Sequence, residues 1–121
     1  MISASTVQAL SEAVALVRAA GLHGRRLEAA LEMNACSSPL VGMKLPSILD
    51  HDYEPHFSLR NMLKDAEIAG ELAGEHGLEL PALASASSAL KAADDEGKGD
   101  LDYSVVAETF PITDGSTEID P

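Results

Sequence analysis

Apolar and polar positions recur along this chain with the period of α-helices rather than of β-strands. The run from Ser3 to Ala20 is almost wholly apolar, and Ser3 or Ser5 is expected to cap it. Gly21 should stop this first helix, because glycine adopts the left-handed conformation at little cost, and Gly77 should stop a later helix in the same way. A helix so apolar on every side predicts packing partners on every side.

Further helices are predicted downstream: one over residues 25–34, an irregular or short helical piece over 37–50, a long helix from about 57 towards the Gly77 stop, one from Pro81 to about Asp95, and a last short helix capped by Asp102 or Ser104. The irregular piece is expected because Pro39, Gly42 and Pro46 interrupt it. Residues 111–121 lack apolar periodicity and are expected to form an acidic, disordered tail after a helical domain of residues 1–110. The predicted fold is therefore all-α, a bundle of about five or six helices.

The helix that follows Phe57 contains three strips of residues. One strip is apolar and should face the core: Leu59, Met62, Leu63, Ala66, Ala69, Gly70 and Ala73. The opposite strip is charged and should face solvent: Arg60, Lys64, Glu67, Glu71 and Glu75. Between them lie Asn61, Asp65, Ile68 and Leu72. The pattern predicts a helix that buries two of its sides, with Lys64 and Asp65 where they meet.

Composition agrees with a helical core and a single domain. Of the 121 residues, 45% are hydrophobic and 3% aromatic, with no Trp, so the core must consist of Ala, Leu, Val, Ile and Met. The formal net charge is −12, with 17 acidic and five basic residues after position 40. So acidic a surface repels phosphate groups, which argues against a nucleic-acid partner and against an anionic membrane.

Cys36 is the only cysteine, so no internal disulfide is possible and a reducing, cytoplasmic location is predicted. The start of the sequence has no basic segment followed by an apolar run, and no apolar stretch reaches 18 residues. The first helix has few charges, and four of its apolar residues are expected to form a homo-oligomer interface because they are too apolar to face water: Val7, Leu10, Val14 and Val17.

The segment "DHDYEPH" is the one place where metal ligands cluster, with Asp50, His51, Asp52, Glu54 and His56. Its spacing matches no ligand pattern of a helix or loop, so a solvated acidic loop is favoured over a metal site. The sequence also contains no glycine-rich phosphate loop and no serine nucleophile elbow. Taken by itself, Lys64 is expected to pair with Glu67 or Glu71 one turn on.

Three runs in the same order resemble a known family: "ALSEAVALVRAAGL", "DYEPHFSLRNMLKDAEIAGELAGEHGLELP" and "GKGDLDYSVV". Together they look like the C-terminal helical domain of the β-hydroxyacid dehydrogenases, which include 3-hydroxyisobutyrate dehydrogenase and tartronate semialdehyde reductase. The likeness covers nearly all of residues 4–107. The middle run is the most specific, with an aromatic residue, Phe57, seven positions before the lysine of a Lys-Asp pair.

The resemblance implies a partner domain of the Rossmann type that holds NAD or NADP, and a helical domain that forms the subunit interface and closes the substrate cleft. It implies that Lys64 and Phe57 contact the cofactor and that Asp65 supports the helix beneath. The family's catalytic lysine would fall shortly before Met1. We therefore expect no catalytic residue in this chain, and neither turnover nor cofactor binding by the chain alone.

The alternative is a stand-alone helical module that forms a homodimer, and a metal-binding module is a more distant third. The sequence does not distinguish NAD from NADP, identify the substrate, or separate a dimer from a tetramer, because the residues that decide these properties in the family lie mostly in the dinucleotide-binding domain.

Overall fold

The computed structural model describes residues 1–110, and this part of the chain is all-α. Its elements are α1 (Ile2–Ala19), α2 (Gly24–Glu32), α3 (Pro39–Asp50), α4 (Leu59–Glu75), α5 (Pro81–Asp95) and a 3₁₀ helix (Tyr103–Thr109). The predicted bundle of five or six helices is confirmed. The acidic tail predicted over 111–121 lies outside the described residues.

Helix α1 contributes to both parts of the hydrophobic core. Its first half packs with α5 and the 3₁₀ helix in a cluster that also includes residues of α4, and Val7 is wholly buried there. Its second half packs against α3 and α2 through Leu10 and Val14. Val7, Leu10 and Val14 are buried inside the chain and so do not form the predicted oligomer interface, and Val17 is half-buried. The large apolar side chains that α1 exposes are instead Ile2 and Leu16, at 78% and 71% exposure.

Both predicted glycine stops are confirmed. Gly21 has φ of +80°, and the next amide, that of Leu22, donates back to the Val17 carbonyl oxygen at 3.1 Å. Gly77 has φ of +67° and ends α4 in the same manner. The predicted cap of α1 is wrong, because the helix already begins at Ile2 and has no side-chain cap.

The piece predicted to be irregular is one continuous helix, α3. Pro39 occupies its first turn, where a missing amide hydrogen costs nothing, and the Ser38 hydroxyl accepts a hydrogen bond from the Val41 amide at 3.2 Å. Pro46 lies inside the helix. Burial of apolar side chains on α3 outweighs the lost hydrogen bond, with Leu45 and Ile48 almost completely buried on either side of the proline.

Helix α4 buries one side, as predicted, through Leu59, Met62, Leu63, Ala66 and Ala73. The second side is not buried within residues 1–110, since Ile68 and Leu72 are 55% and 56% exposed. That part of the prediction is wrong for this chain taken by itself. In the described part of the chain, no helix has both the length and the apolar content needed to cross a membrane.

Candidate functional site

Phe57 lies in the loop before α4 and is held at its amide, its carbonyl and its ring. Its amide donates to Oδ1 of Asp102 at 3.2 Å, and its carbonyl accepts from the Tyr103 amide at 3.1 Å. Its ring meets the Tyr103 ring edge to face, with centroids 6.4 Å apart and planes at 84°. The side chain is 39% exposed. Phe57 is thus an exposed aromatic residue in a fixed position.

The start of α4 is fixed by the segment that precedes the 3₁₀ helix. Ser58 caps α4 by accepting a hydrogen bond from the Asn61 amide at 3.2 Å. The Leu59 amide donates to the Leu101 carbonyl at 2.8 Å, so that an amide without a partner inside its own helix is satisfied from outside. An isolated antiparallel bridge joins Ser58 to Asp102. Phe57 therefore sits between two segments that are joined through their backbones.

Asp102 organises these segments from a buried position. Its carboxylate receives the Lys44 ammonium at 3.0 Å and 2.9 Å, one distance to each oxygen. Oδ1 also accepts from the amides of His56 and Phe57, and Oδ2 accepts from the amide and hydroxyl of Ser104. The Lys44 and Asp102 side chains are 3% and 2% exposed. The pair thus joins α3, the loop before α4 and the 3₁₀ helix.

The hydrogen bonds decide the charge state of this pair. Burial by itself would raise the pKa of Asp102, but hydrogen bonds from Ser104, Lys44 and backbone amides outweigh it and hold the pKa below its ordinary value. Burial, followed by the charge of Asp102, raises the pKa of Tyr103. The site therefore contains an ionised carboxylate and a neutral phenol at neutral pH.

The sequence analysis missed the Lys44–Asp102 pair. The two residues are 58 positions apart, so no helical or strand period relates them. One signal was present: Lys44 is the single charged residue in the apolar run "PLVGMKLPSIL". A lysine in such a run, on a helix that must bury its apolar side chains, implies a buried acidic partner.

Lys64 and Asp65 are both exposed on α4. Asp65 lines a shallow depression beside the first turn of α1, together with Phe57, Met62 and Tyr103, and Lys64 lies next to it along the helix, outside the lining. Within residues 1–110 no ion pair forms between Lys64 and either Glu67 or Glu71. Asp65 forms no ion pair within residues 1–110, and its predicted role in supporting the helix stays a prediction.

A second polar cluster lies at the other end of the 3₁₀ helix. The Glu108 carboxylate accepts from the Tyr53 hydroxyl at 2.6 Å and contacts Nδ1 of His51 at 2.5 Å. Burial tends to raise the pKa of Glu108, but these two partners outweigh it and lower the pKa. Burial, together with the Glu108 carboxylate, raises the pKa of Tyr53 well above its ordinary range.

These contacts account for part of the "DHDYEPH" segment. His51 is directed to Glu108, and Asp50 pairs with Arg25 at 2.5 Å. Among the described residues, no group of three or more His, Cys, Asp and Glu side chains is placed to hold a metal ion.

Comparison with known proteins gives one consistent result. Residues 1–110 match the family model described as NAD-binding of NADP-dependent 3-hydroxyisobutyrate dehydrogenase. The chain is 36% identical over 113 residues to glyoxylate/succinic semialdehyde reductase 1 of Arabidopsis thaliana, covering 93% of this chain and 39% of that protein. It is 33% identical over 106 residues to the cytokine-like nuclear factor N-PAC of Anopheles gambiae, covering 88% and 19%. The resemblance inferred from the three sequence runs is confirmed.

Solved structures agree with the fold. The 3-hydroxyisobutyrate dehydrogenase of Mycobacterium tuberculosis superposes with a TM-score of 0.81 at 27% identity, covering 92% of this chain and 40% of that one. The enzyme of the same name from Salmonella typhimurium superposes with a TM-score of 0.84 at 24% identity, covering 90% and 38%. The match lies in the C-terminal part of these proteins, and the chain spans about two fifths of their length.

Proposed function

Because this chain belongs to the 3-hydroxyisobutyrate dehydrogenase family, we propose that it is the C-terminal helical domain of an NAD(P)-dependent 3-hydroxy acid dehydrogenase. The matching family model and several of its relatives are named for 3-hydroxyisobutyrate, glyoxylate and succinic semialdehyde, which are small acids with a hydroxyl or aldehyde group. The substrate class proposed here is the same. The domain completes a cleft whose other wall is a dinucleotide-binding domain.

We assign the dinucleotide-facing surface to Phe57, Lys64 and Asp65. One observation supports this assignment most directly. Phe57 is fixed by contacts of its amide, its carbonyl and its ring, whereas the nearby charged residues Lys64 and Asp65 form no ion pair within residues 1–110. The Lys64 ammonium suits phosphate, hydroxyl or amide oxygens, and the Asp65 carboxylate suits a ribose hydroxyl. These groups match the donors and acceptors of NAD or NADP.

When bound, the nicotinamide supplies or accepts the hydride. In this proposal Phe57 limits the position of the cofactor, and Lys64 holds one of its oxygens. The exposed ammonium is available for that contact because no carboxylate of the described chain forms an ion pair with it. No group of this chain is assigned a proton-transfer step, and turnover is not expected from the chain alone.

We further propose that the protein is a homo-oligomer, most simply a dimer, and that α1 supplies the contact. Ile2, Ala9 and Leu16 are all exposed and are spaced seven residues apart, so they form a stripe along one side of α1. This stripe replaces the residues first expected at the interface, of which Val7, Leu10 and Val14 are buried inside the chain.

Lysine acetylation followed by mass spectrometry tests the assignment in the full-length protein that contains this chain. Lys64 should react slowly when NADPH or NADH is present and rapidly when it is absent. Lys91 is a matched control, because it is exposed on α5 and, within residues 1–110, pairs only with Asp95 at 3.5 Å. Equal protection of Lys64 and Lys91, or none of either, would contradict the assignment and favour a stand-alone helical module.

A further inference from the structure

We propose that Lys44, a residue of α3, is the positioning residue for Phe57. Lys44 is buried and cannot itself touch a ligand in the depression beside Phe57. It contacts both groups that hold Phe57, namely the Asp102 carboxylate and the Tyr103 ring. The inference rests on the proposed function only where it concerns dinucleotide affinity.

The first connection runs through the carboxylate. Lys44 donates to both oxygens of Asp102, and Oδ1 of the same group accepts from the amides of His56 and Phe57 at 3.1 Å and 3.2 Å. The ammonium compensates the buried negative charge, which keeps the carboxylate ionised and therefore a strong acceptor for both amides. Removing the ammonium therefore weakens the hydrogen bonds by which Asp102 holds the loop before α4.

The second connection runs through the aromatic ring. The Lys44 ammonium lies 4.7 Å from the centroid of the Tyr103 ring, within the range of a cation–π contact. The Tyr103 ring in turn packs edge to face on Phe57, and its backbone amide donates to the Phe57 carbonyl. One buried cation thus supports the backbone and the side chain of Phe57 by separate contacts.

Stability alone is a weak reason for this arrangement. A buried ion pair commonly adds little net stability compared with apolar side chains of similar volume, because both charges lose their hydration. The same pair does fix geometry, since each partner must be satisfied from defined directions. Asp102 has partners from α3, the loop before α4 and the 3₁₀ helix, so the geometry it fixes is that of the loop.

Amide hydrogen exchange by NMR tests the positioning role on the 121-residue chain without any ligand. In Lys44→Met, His56 and Phe57 should lose their protection and exchange within about tenfold of the rate of an unstructured peptide, while Leu10 and Ala66, which report on the helical core, remain protected in the destabilised fold. Lys44→Arg should restore slow exchange at both loop amides. Continued protection of the loop amides in Lys44→Met, or no rescue by arginine, would overturn the proposal.

A second variant tests the proposal if Lys44→Met does not fold. Lys44→Met with Asp102→Asn leaves no unpaired buried charge, and the same comparison of loop and core amides applies to it. Slow exchange at His56 and Phe57 in this double variant, with core amides unchanged, would overturn the role of the pair.

Dinucleotide affinity of the full-length protein separates this inference from the proposed function. Lys44→Met should weaken NADPH or NADH binding about tenfold while Lys91→Met leaves it unchanged. Local loosening of the loop with unaltered affinity would support the positioning role and overturn the placement of Phe57 at the cofactor.

Discussion

The Lys44 ammonium lies 2.9 Å from Oδ2 of Asp102 although 58 residues separate them, and neither side chain reaches solvent to any useful extent. Neither group can exchange its partner for water without opening the core. The pair therefore links the start of the 3₁₀ helix to α3, and loss of either partner affects both segments.

Lys44→Met should lower the free energy of unfolding by about 3–5 kcal/mol, because it leaves the Asp102 carboxylate buried without its cation. Urea denaturation followed by circular dichroism measures this change. The double variant with Asp102→Asn should recover much of the loss. The exposed Lys91→Met provides the control and should shift stability by less than about 0.5 kcal/mol. A small loss in Lys44→Met would mean that water reaches the carboxylate.

Glu108 should make stability depend on pH in the acid range. Its pKa in the folded state is lowered from the ordinary 4.5, so the unfolded chain binds more protons at low pH. The contribution is complete above the ordinary value and is lost as pH falls through the lowered one. Relief of repulsion among the other carboxylates acts in the opposite direction, so parent and Glu108→Gln must be compared. Their difference in unfolding free energy should shrink below about pH 4.5. A difference independent of pH would contradict the role of Glu108.

Lys64→Ala should weaken dinucleotide binding by the full-length protein by about 1–3 kcal/mol, the range for hydrogen bonds to charged groups. Calorimetric titration with NADPH and NADH measures it and also identifies the preferred cofactor. The fold should not change, because Lys64 is exposed and has no partner to lose among residues 1–110. Lys91→Ala should bind as the parent does. Equal dinucleotide affinities in the parent, Lys64→Ala and Lys91→Ala would show that Lys64 is a solvated surface residue with no role in binding.

Leu16→Glu should dissociate the proposed oligomer, because it places a charge on the C-terminal end of the exposed α1 stripe. Light scattering after size-exclusion chromatography gives the mass of each species. Leu78→Glu is the control, since Leu78 is also exposed, at 57% against 71% for Leu16, and follows the far end of α4. A monomeric parent, or an unchanged mass in Leu16→Glu, would contradict an interface on this face.

Gly24 and Gly42 should respond to alanine with opposite signs. A Cβ at Gly24 would overlap the Leu49 side chain, so Gly24→Ala should destabilise by about 1–3 kcal/mol. A Cβ at Gly42 meets nothing within 4 Å, and Gly42→Ala should stabilise α3 by about 0.5–1 kcal/mol. Thermal unfolding measures the change in Tm of each variant relative to the parent. Equal changes in the two variants would show that α2 and α3 are not closely packed at Gly24.

Local patterns predicted the features that depend on neighbouring residues. The stops at Gly21 and Gly77 and the buried strip of α4 follow from residues within a few turns of each other. The continuity of α3 could not be predicted this way, since it depends on burial of Leu45 and Ile48 by other elements. Likewise the α1 pattern indicated burial but not whether the covering surface belonged to the same chain.

The candidate site divides in the same way. Phe57, Lys64 and Asp65 came from the family resemblance, and they remain predictions. The contacts that hold Phe57 depend on Asp102, which joins segments far apart in the sequence. No local periodicity contains that information, so a three-dimensional arrangement was needed to find it.

The positions of the two tyrosines make the unmodified protein its own optical probe. Tyr53 and Tyr103 are the only tyrosines, and there is no tryptophan to mask their emission. One phenol is bonded to Glu108, and the other ring touches both Lys44 and Phe57. Near-ultraviolet absorption and fluorescence of this chain therefore arise mainly from Tyr103, at the start of the 3₁₀ helix, and from Tyr53, which contacts the other end through Glu108. A reduced nicotinamide near Phe57 would receive energy from Tyr103 at short range.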